Sequence, residues 1–405
     1  MESNDIGFSI SPEHLVNMLE RVIHNHSLQL REWSIQRLHG GLELGSSIYR
    51  LQGIVVIGTE SRSWSLILKI IRPEVEFDNP QGYRYWKREI LAYQSDLLNN
   101  LPGQVTAPSC YGVEEKSDKS IWLWLEDMKD EQEHPWSIER YRQVARRLGQ
   151  FNGAYLVDHA LPSQAWITHN WLQKYLDHAS PMVDFIRDNP GHPTVQGMLP
   201  GINLPMTLAM WKEHTHMLKV LERLPQVFCH QDAFERNMFC RGEELVAIDW
   251  GYAGIAPVGT ELAALIGVAF GLAHFPSSQA RELDQACFDG YLEGLRQAGW
   301  QPDSRQLRLS YTLTMLLRYI LGATIGEALP GLLNASTRDH WVEGLGTSEE
   351  SAGESEARII AYYQSITMEA MKLLGPWFML RFIGRTAGYA IRLIGKGHRG
   401  TGEAG

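Results

Sequence analysis

The sequence predicts an α+β protein with a small β-rich N-terminal part and a larger, mostly helical C-terminal part. Apolar and polar residues alternate between residues 33 and 73, and the spacing becomes helical after residue 127. The composition, with 44% apolar and 21% charged residues, is that of an ordinary globular protein. At roughly 150 residues per domain, a chain of 405 residues is long enough for two to three units. We expect units at 1–127, 128–365 and 366–405.

The N-terminal unit is predicted to contain strands, one helix and further strands. The runs "WSIQRLHGG", "SSIYRLQGIVVIG" and "SWSLILKIIRP" alternate like antiparallel strands, and Gly40, Gly41, Gly53 and the polar "TESRS" are typical of turns between them. The following "YRYWKREILAYQSDLL" has helical spacing. The segment "CYGVEEKSDKSIWLWLEDM" predicts two strands joined by a charged hairpin loop.

The C-terminal unit is predicted to be mostly helical. "SIERYRQVARRLGQFNGAYL" places Tyr141, Val144 and Leu148 on one face, with Ser137 as the N-cap. Further helices are predicted near residues 168–188, 204–223, 260–273, 279–298 and 305–328. The small, acidic segment 345–358 predicts a flexible loop.

Charge and cysteine content disfavour several classes of protein. The net charge of −10 argues against nucleic acid as a partner and mildly favours a cationic ligand, although an acidic surface also serves solubility. Four cysteines without C-x-x-C spacing indicate neither a zinc knuckle nor a disulfide framework. The N-terminus lacks the order of a signal peptide, and no apolar run reaches the roughly 18 residues of a membrane span. These features predict a cytoplasmic protein.

The segment 366–405 differs from the rest because it carries six basic and two acidic residues. Its basic residues include Arg381, Arg385, Arg392 and Lys396, interleaved with large apolar side chains. One interpretation is a basic amphipathic helix that lies on a membrane or binds a partner. The other is a C-terminal helix packed on the preceding unit, favoured by the break at Gly375 and Pro376 and by the small Gly384 and Gly388.

The stretch "VFCHQDAFERNMFCRGEELVAIDWG", residues 227–251, concentrates polar residues around a predicted hairpin. "NMFC" and "ELVAIDW" are strand-like and "RGE" is a plausible turn, so Asn237 and Asp249 should meet at the open end. An amide oxygen and a carboxylate are hard ligands suited to Mg²⁺. Asp232, on the loop before the hairpin, can accept or orient a hydroxyl proton. Zinc or hydrolase chemistry is the weaker alternative, because neither a second histidine at metal spacing nor a serine elbow occurs.

This pattern, H-x-D-x4-N followed by a strand and I-D-W, resembles the catalytic loop and metal-binding segment of aminoglycoside phosphotransferases and choline kinase-like enzymes, relatives of protein kinases. The matching residues are His230, Asp232, Asn237, Ile248, Asp249 and Trp250. The resemblance implies a two-lobed, protein-kinase-like fold. It also implies that Asp232 is the catalytic base and that Asn237 and Asp249 bind Mg²⁺, and His230 would brace the loop.

The resemblance also implies an ion pair that holds the nucleotide. Lys69 lies inside the apolar strand "LILKII", where it needs a partner, and Glu89 on the next helix is the expected one. Lys69 would then contact the α- and β-phosphates. The alternatives are an edge-strand lysine facing water and an exposed helical glutamate.

A phosphate-covering loop and a hinge are the remaining parts of the resemblance. The segment "HGGLELGSSIYRL" occupies the position of the loop, although it lacks G-x-G-x-x-G and glycine pairs are usually only turns. Its candidate phosphate-binding residues are Gly40, Gly41, Ser46 and Ser47. The segment "WLWLEDM" resembles the hinge, where the backbone around Glu126 and Met128 would bind adenine. The hinge does not distinguish ATP from GTP.

These parts predict a Mg²⁺-dependent phosphotransferase that moves the γ-phosphoryl group of ATP to a hydroxyl of a small molecule, such as an aminoglycoside-like compound, an amino-alcohol or a sugar. The tryptophan-rich segment with Trp166, Trp171 and Tyr175 either lines the acceptor site or belongs to the core. A protein or lipid-head-group kinase and a pseudokinase are the alternatives. A protein kinase is disfavoured because no A-P-E element follows Trp250, and a pseudokinase because the base, lysine and metal ligands are all present.

Overall fold

The computed structural model describes residues 8–38, 45–130, 135–198, 203–271, 277–336 and 352–397. Strands dominate before residue 127 and helices after it, so the predicted α+β class is confirmed.

An antiparallel sheet of five strands forms the N-terminal part. Its strands are β1 (Leu28–Leu38), β2 (Ser46–Ile57), β3 (Glu60–Ile71), β5 (Cys110–Glu115) and β6 (Ile121–Glu126). They are ordered β1-β2-β3-β6-β5, which makes β3 the central strand. Helix α1 (Pro12–Ile23) buries Leu15, Met18 and Leu19 against this sheet, and Ser11 caps its N-terminus.

Gly53 lies within β2, so its predicted role as a turn residue was wrong. It pairs with Trp33 of β1, beside a register shift between Leu30 and Glu32. A Cβ atom at Gly53 would lie 2.1 Å from the carbonyl oxygen of Glu32. The glycine therefore permits the close approach of two strands at a bulge.

Helix α2 (Arg88–Gln94) is shorter than the predicted helical segment. The residues before α2 form turns because the buried Arg88 guanidinium donates hydrogen bonds to their carbonyl oxygens. Its acceptors are the carbonyl oxygens of Pro80, Gly82, Tyr83, Trp166 and Gly251. Arg88 thus fixes α2 against the segment that follows Asp249.

The C-terminal part contains ten α-helices in the described ranges, and each predicted helix is present. They are α3 (Ile138–Ala154), α4 (Trp171–Asp188), α5 (Pro193–Met198), α6 (Leu204–Leu221), α7 (Thr260–Gly271), α8 (Ala280–Gln297), α9 (Ser304–Met315), α10 (Leu329–Leu333), α11 (Ala352–Leu374) and α12 (Pro376–Gly397). The short strands are β4 (Val105–Thr106), β7 (Gln226–Cys229), β8 (Met238–Arg241), β9 (Glu244–Ala247) and β10 (Gly254–Pro257). Strands β8 and β9 form the predicted hairpin, and β10 pairs with β7.

The predicted helix at 305–328 is interrupted by a different helical geometry. Residues Leu316–Ala328 form a π-helix between α9 and α10. By length and hydropathy the whole Ser304–Leu333 rod could cross a membrane, but 61% of its apolar window is buried inside the protein. It is therefore a core helix.

The loop predicted at 345–358 was wrong for residues 352–358, which begin α11. Alanine, glutamate and arginine in this segment are good helix formers, and this preference outweighs its small, acidic composition. Residues 345–351 lie outside the described ranges. The proposed unit boundary at 365/366 falls inside α11, whose Tyr362 and Ile366 are buried in one continuous core.

Candidate active site

Asp232 lies on the loop between β7 and β8 and is held by Asn237. The Asn237 side-chain nitrogen donates to the Asp232 carbonyl oxygen and to Asp232 Oδ2, both at 3.0 Å. The backbone N–H of Ile248 donates to the Asn237 carbonyl at 3.0 Å, which ties the hairpin end to the loop. The hairpin therefore brings Asp232, Asn237 and Asp249 to one place.

His230 connects the loop to the second hairpin strand as a neutral imidazole. Its Nε2 lies 2.8 Å from the Ile248 carbonyl, and the backbone N–H of Asp232 donates to Nδ1 at 3.2 Å. These partners require the proton on Nε2 and a lone pair on Nδ1. Burial lowers the pKa of His230 to about 4, which agrees with a neutral ring.

Glu261 anchors the same loop, a role that the sequence analysis did not assign to it. It is fully buried in the first turn of α7 and accepts the backbone N–H groups of His230 at 2.5 Å and Gln231 at 3.1 Å. Burial raises its pKa to about 7, against the effect of these two donors. Gln231 has a φ of 67°, so the loop is held in a left-handed turn at that residue.

Arg318 is a site residue that the sequence analysis missed. It projects from the π-helix and donates to the Gln231 carbonyl and to Asp232 Oδ1, the latter at 3.2 Å. Its guanidinium lies over the Trp171 ring, 4.6 Å from the centroid. The available sequence signal was an arginine inside the apolar run "TMLLRYILG", because a buried cation requires a partner.

Lys69 joins the sheet to the end of the hairpin. Its Nζ lies 2.6 Å from Glu89 Oε2 and 3.1 Å from Asp249 Oδ1. Burial alone would lower the pKa of Lys69, but the carboxylates of Asp249 and Glu89 raise it above its ordinary value. The alternatives, an edge-strand lysine facing water and an exposed helical glutamate, were both wrong. Lys69 lies in a central strand, and both Lys69 and Glu89 are only 4% exposed.

Asp249 adopts a left-handed backbone conformation with φ 64°, and its side chain remains 27% exposed. Burial would raise the pKa of Asp249, but Lys69 lowers it below the ordinary range. Its carboxylate is therefore ionised and reachable. Because the Asn237 nitrogen is engaged by Asp232, the Asn237 amide oxygen is the atom left to coordinate a cation.

These two oxygen donors fit a magnesium ion. Within the described ranges, no three His, Cys, Asp or Glu residues are arranged to hold a metal. Mg²⁺ is commonly bound through one or two protein oxygens together with water and substrate phosphates, so Asn237 and Asp249 match its preference.

The predicted phosphate loop and hinge are only partly described. Gly40 and Gly41 lie outside the described residues. Ser46 and Ser47 begin β2 and are buried, and Ser47 Oγ accepts from Arg72 at 3.3 Å. The hinge position Met128 lies in the irregular residues 127–130 that follow β6.

The side chain of Glu126 binds protein partners on both sides of the hinge. Its carboxylate accepts the backbone N–H and the hydroxyl of Ser109, both at 3.1 Å, and Arg241 of β8 at 2.9 Å. The Glu126 carboxylate is therefore occupied by protein partners.

Aromatic residues of α4 pack close to the proposed base. Trp171 and Tyr175 are buried with stacked rings 5.0 Å apart, and Tyr83 packs against Tyr175. Trp166 is only partly buried. The core interpretation therefore applies to Trp171 and Tyr175, although Trp171 also supports the Arg318 guanidinium beside Asp232.

The β-sheet, the helical part and the linked Lys69, Glu89 and Asp249 define a two-lobed, protein-kinase-like phosphotransferase. The model of the phosphotransferase enzyme family (APH) matches residues 54–302, and the chain belongs to this family. No curated protein matches the chain.

Solved structures agree on the fold. An amicoumacin kinase, hAmiN, in complex with AMP-PNP, Ca²⁺ and Ami is 12% identical, with 89% of this chain and 94% of that chain covered and a TM-score of 0.50. A choline kinase from Cryptosporidium parvum Iowa II is 14% identical, with 91% and 100% covered and a TM-score of 0.52. An aminoglycoside phosphotransferase from Alicyclobacillus acidocaldarius is 14% identical, with 91% and 98% covered and a TM-score of 0.50. The predicted protein-kinase-like fold is confirmed.

Proposed function

We propose that the protein transfers the γ-phosphoryl group of ATP to a hydroxyl group of a small molecule in a Mg²⁺-dependent reaction. The observation that carries this proposal is the convergence of Lys69 from the sheet with Asp232, Asn237 and Asp249 from the stretch 227–251. Together they supply the parts that phosphoryl transfer requires. The solved complex of the amicoumacin kinase with AMP-PNP and Ca²⁺ supports a nucleotide and a divalent cation as ligands.

Asp232 is the proposed base. Asn237 occupies one of its carboxylate oxygens and Arg318 the other, so the carboxylate is held in one orientation. In this orientation Asp232 accepts the proton of the acceptor hydroxyl as the hydroxyl oxygen attacks phosphorus. The bond to the β-phosphate oxygen breaks, and ADP leaves.

Lys69 and the two oxygen donors act on the nucleotide. Lys69, held by Glu89, contacts the α- and β-phosphates, while Asn237 and Asp249 hold Mg²⁺. The ion, when bound, neutralises charge on the phosphate oxygens. The protein itself contributes positioning, since every charged group is already fixed by a partner before the substrates bind.

The acceptor is a small hydroxylated molecule. The similar structures include a choline kinase and an aminoglycoside phosphotransferase, whose names indicate substrates of this kind. These names support the proposed class of acceptor. A cytoplasmic location is part of this proposal, because the four cysteines are all free thiols.

The test is transfer of label from γ-labelled ATP, with Mg²⁺, to a panel of aminoglycosides, other hydroxylated antibiotics, choline, ethanolamine and simple sugars. We expect label on one class of acceptor. Asp232→Asn should reduce transfer about a thousandfold, since it removes the base, while nucleotide affinity stays within about twofold.

The alternatives give different outcomes. Label on a protein or on a lipid head group, with none on the panel, would favour those kinases. Tight Mg²⁺-dependent ATP binding without transfer to any acceptor would indicate a pseudokinase. Full turnover by the Asp232→Asn variant would refute the role of Asp232.

A further inference from the structure

Helix α12 is docked firmly on the protein by one face. Phe378 and Phe382 are buried among residues of the neighbouring helices, and Phe378 stacks on His216 of α6. Arg385 Nε lies 2.6 Å from Glu213 Oε1, and Arg381 pairs with the other oxygen of this buried carboxylate. Removing either cation would leave the buried Glu213 carboxylate less well compensated. The two ion pairs therefore fix the rotation of α12 about its axis.

The opposite face of α12 exposes large apolar side chains to solvent. Trp377 is 82% exposed, Leu380 66%, Ile383 52% and Ile391 71%. At about 100° per residue, these four positions fall within an arc of about 120°. They are half of the eight large apolar residues that are exposed in the described part of the chain. We refer to Trp377, Leu380, Ile383 and Ile391 as the apolar face of α12.

The sequence of α12 and its flanking residues is basic. Between residues 370 and 402 the sequence has six lysines and arginines and no acidic residue, whereas the whole chain has a net charge of −10. Arg392 is exposed beside the apolar face. A second copy of the chain would bring two like-charged helices together. An anionic surface is the complementary partner.

We propose that α12 binds the surface of a membrane that contains anionic lipids. The apolar face enters the headgroup and acyl boundary, and the exposed Arg392 side chain contacts lipid phosphates. The helix lies on the membrane and does not cross it. Among the described helices only Ser304–Leu333 has the hydropathy of a span, and α12 is fixed to α6 along its other side.

The experiment is co-sedimentation of the full-length protein with vesicles. One set contains phosphatidylcholine alone, and the other contains roughly 30% phosphatidylglycerol, comparable with anionic membranes. We expect a partition coefficient about tenfold higher for the anionic vesicles, and a loss of this difference at high salt. Arg392→Gln should reduce the preference for anionic vesicles several-fold. Arg381 and Arg385 are left unchanged because they hold the helix on the protein.

A double variant tests the apolar face. Leu380→Ser with Ile391→Ser should lower the partition coefficient about tenfold or more, because both side chains are largely exposed to solvent and are buried only when the helix inserts. Val75→Ser with Val157→Ser is the matched control, since these residues are also exposed, at 91% and 52%, but lie elsewhere. The control should bind like the unchanged protein.

Three results would overturn the proposal. Equal binding of both double variants, or no binding to anionic vesicles by a folded protein, would show that the apolar face does not meet lipid. A doubled mass in light scattering without vesicles, abolished by Leu380→Ser with Ile391→Ser, would assign the face to a second copy of the chain. The vesicle assay requires no phosphoryl transfer, so its outcome is independent of the proposed function.

Discussion

At the residue scale, Asp232 is held in place by two side chains of its own loop and by one from the π-helix. Asn237 contacts one carboxylate oxygen and Arg318 the other, while His230 accepts the Asp232 backbone N–H. A carboxylate with both oxygens engaged cannot rotate freely, and a misplacement of about 1 Å at such a group can cost on the order of a hundredfold in rate. Arg318 is therefore a positioning residue for the proposed base.

Replacing Arg318 should affect turnover more than binding. We expect Arg318→Met to lower kcat by about 10- to 100-fold while the KM for ATP changes less than about twofold, because Arg318 contacts the catalytic loop and not Lys69. Arg318→Lys should restore part of the loss. Steady-state kinetics with the acceptor that the labelling experiment identifies measure both values.

The matched control is Arg308→Met. Arg308 lies on the same rod and pairs with Asp284 and Glu369, away from Asp232. It should destabilise the fold without a comparable fall in kcat per folded molecule. Equal kinetic losses in both variants would mean that Arg318 acts only through stability.

His230 predicts a pH dependence of stability. Its folded pKa of about 4 lies below the ordinary value near 6.5, so the unfolded chain binds a proton that the folded protein does not. The free energy of unfolding therefore falls as the pH decreases from about 6.5 to about 4, by on the order of 3 kcal/mol from this residue. Above about pH 7 the residue contributes no slope.

Denaturant unfolding between pH 4 and 8 measures this effect. His230→Gln offers a similar donor and acceptor without a proton to titrate, so the variant should show a flatter profile in the acidic window. His26→Gln is the control, because His26 is exposed. An identical pH slope in the unchanged protein and the His230→Gln variant would contradict the neutral imidazole.

At the scale of elements, the packing of α3 against α8 sets the position of β7. Gly290 and Gly294 of α8 approach the backbone of α3, and Asn152 of α3 donates to the Phe228 carbonyl of β7 at 2.8 Å. Strand β7 leads directly into the catalytic loop. The close contact of α3 and α8 at these glycines therefore helps to position the catalytic loop, although it lies far from the site.

Gly294→Ala should destabilise the protein despite the higher helix propensity of alanine. A Cβ atom there would lie 1.9 Å from the Arg146 carbonyl oxygen, which is backbone and cannot move aside. Alanine gains about 1 kcal/mol in propensity, whereas overpacking costs about 1–3 kcal/mol or more, so the clash prevails. The denaturant midpoint measures the loss.

Gly191→Ala is the control, because its Cβ would meet no atom within 4 Å and its backbone is not left-handed. It should leave the midpoint nearly unchanged. A Gly294→Ala variant as stable as Gly191→Ala would show that α3 and α8 can separate without cost.

At the scale of the whole molecule, the contact between Lys69 and Asp249 joins residues 180 positions apart. Two further ion pairs, Arg241 with Glu126 and Arg140 with Asp130, also connect the sheet or the hinge to the helical part. Nucleotide binding at this junction should stabilise both parts together, by about 2.7 kcal/mol when the free ligand is a hundredfold above Kd.

Removing the Asp249 carboxylate should abolish most of this stabilisation by bound nucleotide. We expect Mg²⁺ with ATP to raise the Tm of the unchanged protein by several degrees and that of Asp249→Ala by far less, because the variant lacks a metal ligand. Asp158→Ala, an exposed aspartate outside the site, is the control. Equal Tm shifts in all three proteins would remove Asp249 from the nucleotide site.

The sequence by itself determined the fold class and the set formed by Asp232, Asn237 and Asp249. These residues lie within one short stretch, where strand alternation and a tight turn decide which ends meet. A lysine within an apolar strand likewise requires a charged partner, and this requirement predicted the ion pair between Lys69 and Glu89.

Only the tertiary structure decided the roles of Glu261 and Arg318, the α3 and α8 contact, and which side of α12 faces solvent. Each depends on segments that are distant in the chain and on helix rotations that no local pattern fixes. The helix 352–358 was missed because composition alone suggested a loop, and Gly53 was misplaced because a bulge and a turn both use glycine. Local rules constrain neighbours along the chain, whereas contacts between distant segments depend on how all the elements pack.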